Sequence, residues 1–231
     1  FMDEVSHPEN AKRIHDVTSK KKYLDGRHNI LNRVVEQYNG KPYEQRAIVL
    51  QYAKLITQLE TTYLLKQPLT ITGDESIVSD MKRVYKKGKY DKINFDLLNN
   101  MVKYGNAYEY VYVNGEGKVT SKVIPTESGY PIYDDELNMI AFVEYYTALE
   151  SEYYVVYTHD EVVKYSTIGA EDVRVVGSYK NVSGLPIHYR TDNELNMAFG
   201  KSDLDDFMNI IDSMEDLLSK FSDSFYKHHN P

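Results

Sequence analysis

Apolar residues recur along this chain in two regimes, and the change from one to the other divides it. Through roughly the first hundred positions the spacing is three and four. Residues 8–23 read as a polar helix that stops at Leu24-Asp25-Gly26, where the glycine takes the left-handed conformation of a helix end. Ile48, Tyr52, Leu55, Ile56, Leu59 and Tyr63 predict a second helix over 43–65, with Pro68 beyond its end. Asn94 reads as the cap of a third helix, with Leu97, Leu98, Met101 and Val102 on one face and Gly105 at its close.

Past Gly105 the period becomes two. Tyr108, Tyr110 and Tyr112 alternate with Glu109, Val111 and Val113 before the turn Asn114-Gly115-Glu116-Gly117, which predicts a hairpin over 108–124. Further short strands are expected near 139–146, 153–158, 162–166 and 173–179. Tight turns between short strands imply an antiparallel sheet, so the fold class is α+β.

The last element returns to the helical period. Ser202 caps it, Asp205 follows three residues on, and Leu204, Phe207, Met208, Ile211, Met214, Leu218, Phe221 and Phe225 mark one face. One continuous helix over 202–227 would be roughly 40 Å long. Its apolar face is expected to be buried, so that Leu218→Asp would cost the subunit or its assembly several kcal/mol. The other face carries Asp205, Asn209, Asp212, Asp216, Lys220, Asp223 and Lys227, a mainly acidic stripe.

Composition changes the picture little until charge is considered. The 231 residues, 42% hydrophobic and 27% charged, are enough to bury a core without staples, and the absence of cysteine removes disulfides and thiolate metal sites. A formal charge of -8 argues against a surface that grips duplex DNA, which would gather Lys and Arg to displace counterions. No apolar run reaches the length of a membrane span. Twenty-two tyrosines without a tryptophan suit buried sheets first and subunit interfaces second. The opening Phe1-Met2-Asp3 and the close His228-His229-Asn230-Pro231 read as cuts in a longer chain.

Candidate chemistry fails on spacing. Gly200-Lys201-Ser202 resembles the end of a phosphate-binding loop, yet Leu195 stands where the first glycine is needed. His28 reads as a loop or packing histidine, since no serine or cysteine nucleophile partners it, and the terminal His228-His229 as solvated. Asp134-Asp135-Glu136 and Glu150-Ser151-Glu152 could serve a metal-dependent hydrolase, although acidic residues between strands ordinarily face water. Lys20-Lys21-Lys22, Lys82-Arg83 and Lys86-Lys87 read as solvated helix faces. No catalytic, cofactor-binding or metal-ligating residue is therefore assigned.

Several stretches, in this order, resemble the portal proteins (head-to-tail connectors) of long-tailed phages of Gram-positive bacteria. They are Tyr23-Leu24-Asp25-Gly26-Arg27-His28-Asn29-Ile30-Leu31, then Tyr63-Leu64-Leu65-Lys66-Gln67-Pro68-Leu69, then Tyr104-Gly105-Asn106-Ala107-Tyr108-Glu109-Tyr110-Val111-Tyr112 with the Gly115 to Gly117 turn. Ile124-Pro125-Thr126-Glu127, Ile132-Tyr133-Asp134-Asp135, Lys201-Ser202-Asp203-Leu204 and Ile211-Asp212-Ser213-Met214 continue it. Leu65-Lys66-Gln67 departs from a common phenylalanine-glycine-lysine, and Leu185-Pro186-Ile187-His188-Tyr189 matches loosely.

The resemblance implies a helical wing part over 1–105, an antiparallel wing sheet over 106–200 and the start of a stem helix over 201–231. It implies a non-enzymatic subunit of a dodecameric ring at a capsid vertex of the virion, assembled in the host cytoplasm. The ring would conduct double-stranded DNA, held weakly and without sequence preference, in packaging and ejection. Its implied partners are the terminase large subunit, the major capsid and scaffolding proteins and a head-completion or adaptor protein, with no membrane and no cofactor. The stripe Asp205, Asn209, Asp212, Asp216, Lys220 and Asp223 would face the channel or a neighbouring subunit.

Overall fold

The computed structural model describes residues 1–38, 40–67, 69–169 and 172–229. Of the residues singled out above, Pro68, Asn230, Pro231 and the side chain of His229 lie outside that set. Helices α1 (Met2–Ser6) and α2 (Pro8–Leu24) lead into a small hairpin, β1 (Glu36–Tyr38) and β2 (Lys41–Tyr43). Three helices follow: α3 (Tyr52–Leu64), α4 (Glu75–Gly88) and α5 (Tyr90–Tyr104). Eight strands come next, and the last described element is α6 (Leu204–His229), so the chain is α+β.

Local chemistry sets the ends. Pro8 opens α2, where its missing N–H costs nothing. At the other end Arg27 N–H bonds the Lys22 carbonyl and Gly26 N–H the Tyr23 carbonyl, a paired closure that needs the φ of +86° at Gly26. Asp74 caps α4 by accepting from the Ser76 N–H at 3.0 Å. α5 begins at Tyr90, not at Asn94, because Lys89 in the left-handed region breaks it from α4; the Asn94 amide reaches the Tyr85 hydroxyl instead. The second helix begins at Tyr52 rather than near 43, for a reason that lies in α6.

Strands β3 (Asn106–Val113) and β4 (Val119–Ile124) form the expected hairpin, Val113 opposite Val119, with the Asn114 carboxamide oxygen accepting from Glu116 and Lys118 N–H. Strand β10 (Ile187–Arg190), unanticipated because it is short and follows Pro186, joins the other side of β3. The larger sheet is a meander of β5 (Gly129–Tyr133), β6 (Met139–Ala148), β7 (Ser151–Tyr157), β8 (Glu161–Ser166) and β9 (Arg174–Lys180). Tyr108, Tyr110 and Ile124 from the small sheet and Phe142, Tyr157 and Val162 from the large one make one buried cluster. On the large sheet's other side Tyr130, Val143 and Tyr154 meet Phe1, Val5 and Ile14 of the N-terminal helices. A third cluster joins α2, α3, α5 and α6 through Tyr23, Leu24, Ala53, Tyr104, Leu204 and Ile211.

Backbone runs against backbone where the chain enters and leaves the sheets. A Cβ on Gly105 would lie 2.5 Å from the Gly200 carbonyl oxygen, so neither position admits a side chain without displacement. Thr191 N–H bonds the Gly105 carbonyl, Gly200 N–H the Asn106 side chain, and Asp203 N–H the Val102 carbonyl. Gly200-Lys201-Ser202 is thus a crossing and a cap: the Ser202 hydroxyl donates to the Lys103 carbonyl and accepts from Leu204 N–H. The Asp205 carboxylate does not complete a capping box but pairs with Lys20 at 2.8 Å.

Candidate functional site

Helix α6 runs unbroken, and up to Ile211 its apolar stripe and its inward face coincide: Leu204 and Ile211 are buried, with Phe207 and Met208 packed beside them. Beyond Ile211 the two part. The inward row continues at fourfold spacing as Glu215, Ser219 and Asp223, all buried, while Met214, Leu218 and Phe221 turn to the surface. Leu217 and Phe221 are 69% and 70% exposed. The expectation of a buried apolar face therefore fails for the second half of the helix within this chain.

A polar row is buried there because an extended segment lies along it. The N–H groups of Arg46, Ile48 and Leu50 donate to Asp223 (2.9 Å), Ser219 (3.0 Å) and Glu215 (2.7 Å). Two extended residues advance about 6.6 Å and four helical residues about 6 Å, so alternate N–H groups of a strand match every fourth side chain of a helix. The side chains act as a strand partner would. This pairing keeps residues 44–50 out of the helix and delays α3 to Tyr52.

Neighbouring groups extend the ladder. The Tyr43 hydroxyl donates to Asp223 at 2.8 Å, and burial followed by that bond pushes its pKa up to about 12. Arg33 bridges Asp216 (2.7 Å) and Asp223 (3.3 Å). The hydrogen bond from Lys220, then Arg33, holds Asp216 below the usual carboxylate range. At the upper end His28 is buried with its ring stacked 3.7 Å from that of Tyr23; Nδ1 lies 2.6 Å from Glu215 Oε1 and Nε2 lies 2.9 Å from the Tyr23 carbonyl. The Tyr23 hydroxyl donates to Asp212 at 2.8 Å, and burial then Asp212 raise its pKa well above the ordinary tyrosine value.

The acidic stripe is thereby divided. Asp212, Asp216 and Asp223 are at least half-buried against groups of the same chain, whereas Asp205, Asn209 and Lys220 are exposed, Asp205 paired with Lys20 and Lys220 with Asp216. Glu215 and Ser219 were not singled out in the sequence, although their fourfold spacing with Asp223 was visible there. Helix α3 repeats the inversion. Ala53, Thr57 and Thr61 form its buried face, each threonine hydroxyl satisfied by a carbonyl one turn back, while Leu55, Leu59 and Tyr63 are 59%, 67% and 73% exposed.

The carboxylates considered for hydrolysis do not converge. Asp134 accepts the N–H groups of Glu136 and Asn138 in the turn before β6, and the bond from Asn138, the largest cause, holds its pKa low. Glu150, at φ +61°, sits in the turn after β6. Ten strand residues separate the two turns, about 30 Å, too far to share one ion or water. Among the described residues no helix is long and apolar enough to cross a membrane.

Comparison with protein families matches residues 3–231 to the model described as phage portal protein, SPP1 Gp6-like. No curated protein matches the chain.

Proposed function

Because the chain belongs to the SPP1 Gp6-like phage portal proteins, a structural family of bacteriophage genome packaging, we propose that it is a ring subunit whose neighbours cover the outward apolar rows of α3 and α6. The observation that carries this reading is the inversion of α3 and of the second half of α6: large side chains lie outside while polar and small ones lie inside. A contiguous exposed apolar surface is the mark of an interface, and repetition of one heterologous contact closes a ring.

On this reading the ring is a dodecamer at the capsid vertex of the virion, put together in the host cytoplasm. Its opening is the DNA conduit for packaging and ejection. Its rims serve the terminase large subunit and a head-completion or adaptor protein, and capsid and scaffolding proteins surround it. Residues 1–105 and 106–200 are the helical and β parts of the wing, and 201–231 begin the stem. A charge of -8 suits a conduit, since carboxylates repel phosphate and leave duplex free to slide. Asp205, Asn209 and Lys220 are the exposed members of the stripe, open to the channel or a neighbour, although Asp205 also pairs with Lys20 and Lys220 with Asp216. The subunit hydrolyses nothing itself, a reading supported by the separation of Asp134 from Glu150.

Electron microscopy and native mass spectrometry of the purified chain over a range of concentrations test the proposal. Closed rings that disappear in a Leu217→Asp, Phe221→Asp variant are expected. A wild-type chain that stays monomeric at every concentration would count against it.

A further inference from the structure

The junction of α2 and α6 holds a set of groups, His28 and Asp212 beside the ladder's Glu215, whose convergence neither the ladder nor a ring requires. We propose that His28, Asp212 and Glu215 form a binding site for a divalent transition-metal cation of the zinc class, which clamps α6 to the turn after α2. One ligand atom from each residue lies within 4.8 Å of the others. Small side-chain shifts bring three such atoms to the ligand distances of about 2.0–2.2 Å that zinc requires.

Independent features support a cation here. Glu215 is fully buried, and its Oε2 has no hydrogen-bond donor among the described residues, which is costly for a buried carboxylate oxygen. His28 is held in the orientation of a ligand. Its Nε2–H donates to the Tyr23 carbonyl, which leaves the Nδ1 lone pair on the side of Glu215. Each carboxylate is also oriented from behind, Asp212 by the Tyr23 hydroxyl and Glu215 Oε1 by the Leu50 N–H. Ligands fixed by outer hydrogen bonds of this kind are characteristic of metal centres. Spacing puts Asp212 and Glu215 on one side of α6, one turn apart.

The donor set selects the ion class. One imidazole nitrogen and two carboxylate oxygens suit zinc or manganese, whereas calcium and magnesium prefer oxygen alone. Without a metal, a proton must lie between Nδ1 and Oε1 at 2.6 Å; a metal ion replaces it, and that one proton leaves to solvent.

The test is isothermal titration of zinc chloride into the chelator-treated chain carrying His228→Ala and His229→Ala, which removes the terminal histidines as a second site. The expected result is one zinc per chain with Kd below about 10 μM and a raised melting temperature. Glu215→Gln should weaken binding about 100-fold. Tyr23→Phe, which keeps the stacked ring and loses only the hydroxyl that orients Asp212, should weaken it about 10-fold with the fold intact by circular dichroism. Absence of zinc and manganese binding, or binding that neither variant changes, overturns the site and leaves His28 and Glu215 as a proton-sharing pair. Ring formation is measured separately, so failure here leaves the portal reading untouched.

Discussion

The two-sheet region and helix α6 bury opposite chemistry. Between the sheets the inward positions are Tyr108, Ile124, Phe142 and Val162, none with measurable exposure, and the alternation along each strand points the apolar residues inward. Along the second half of α6 the inward positions are Glu215, Ser219 and Asp223, and the apolar residues point out. Both regions obey the same energetics. In the sheets the chain supplies its own apolar partner, whereas at α6 it supplies a row of N–H groups from residues 46–50 that only acceptors can satisfy. Hydrophobic periodicity thus identifies which face is apolar, and the partner decides which face is inside.

Substitutions that break this contrast should differ in size. Phe142→Ala in the sheet cluster removes a ring packed against Tyr108 and Tyr157, and should lower unfolding free energy in urea by about 3–5 kcal/mol. Glu215→Ala strands the Leu50 N–H and His28, with an expected loss of about 3 kcal/mol in the same assay. A much smaller loss for Glu215→Leu, which keeps the volume but accepts no hydrogen bond, would show that shape, not hydrogen bonding, matters there.

Two titrating groups separate the regions by pH. His188, in β10, accepts from the Tyr133 hydroxyl and donates to Asn106, so it is held neutral; burial first, then Arg13 and Arg190, lowers its pKa from 6.5 to about 3. The folded state then binds fewer protons than the unfolded one, and stability should be lost as pH falls from 6.5 toward 3. Asp203, before α6, goes the other way. Burial first, then Glu60, raises its pKa from 3.8 to about 6, so its contribution is present below 3.8 and lost as pH rises through 6. Melting curves from pH 4 to 8 should show His188→Gln flattening the acid-side loss and Asp203→Asn flattening the loss toward neutrality. The smallest effect on the subunit is expected at the surface: Leu217→Asp should change its unfolding free energy by less than about 0.5 kcal/mol while abolishing self-association, measured by sedimentation velocity. Of the two effects expected for Leu218→Asp, on the subunit or on its assembly, the same reasoning keeps the second, since Leu218 is 40% exposed.

The hairpin at 108–124 was legible because alternation and a glycine turn are both local, and the length and cap of α6 were legible for the same reason. Residues 43–51 were not. Ile48 and Tyr52 fit a helical period, but the groups that keep this stretch extended lie far along the chain, 177 residues away for Arg46 and Asp223. The His28 cluster was hidden similarly, since its members come together only when α6 returns to the turn after α2. In strand β5 Pro131 masks the strand pattern, yet β5 takes an edge of the large sheet, where a missing donor is tolerated.

The crossing of Gly105 with Gly200 makes the β region an excursion with a closed neck: residues 106–199 leave the helical body and return to it at one point. Length changes inside the excursion do not move its ends, so α5 and α6 keep their register whatever happens at a strand tip. Lineages descending from such a chain can lengthen, shorten or redecorate the sheets while the helical frame is inherited unaltered. Engineering has the same freedom, and the exposed Gly115 to Gly117 tip is where a fluorophore or affinity peptide can be spliced in without disturbing the joint.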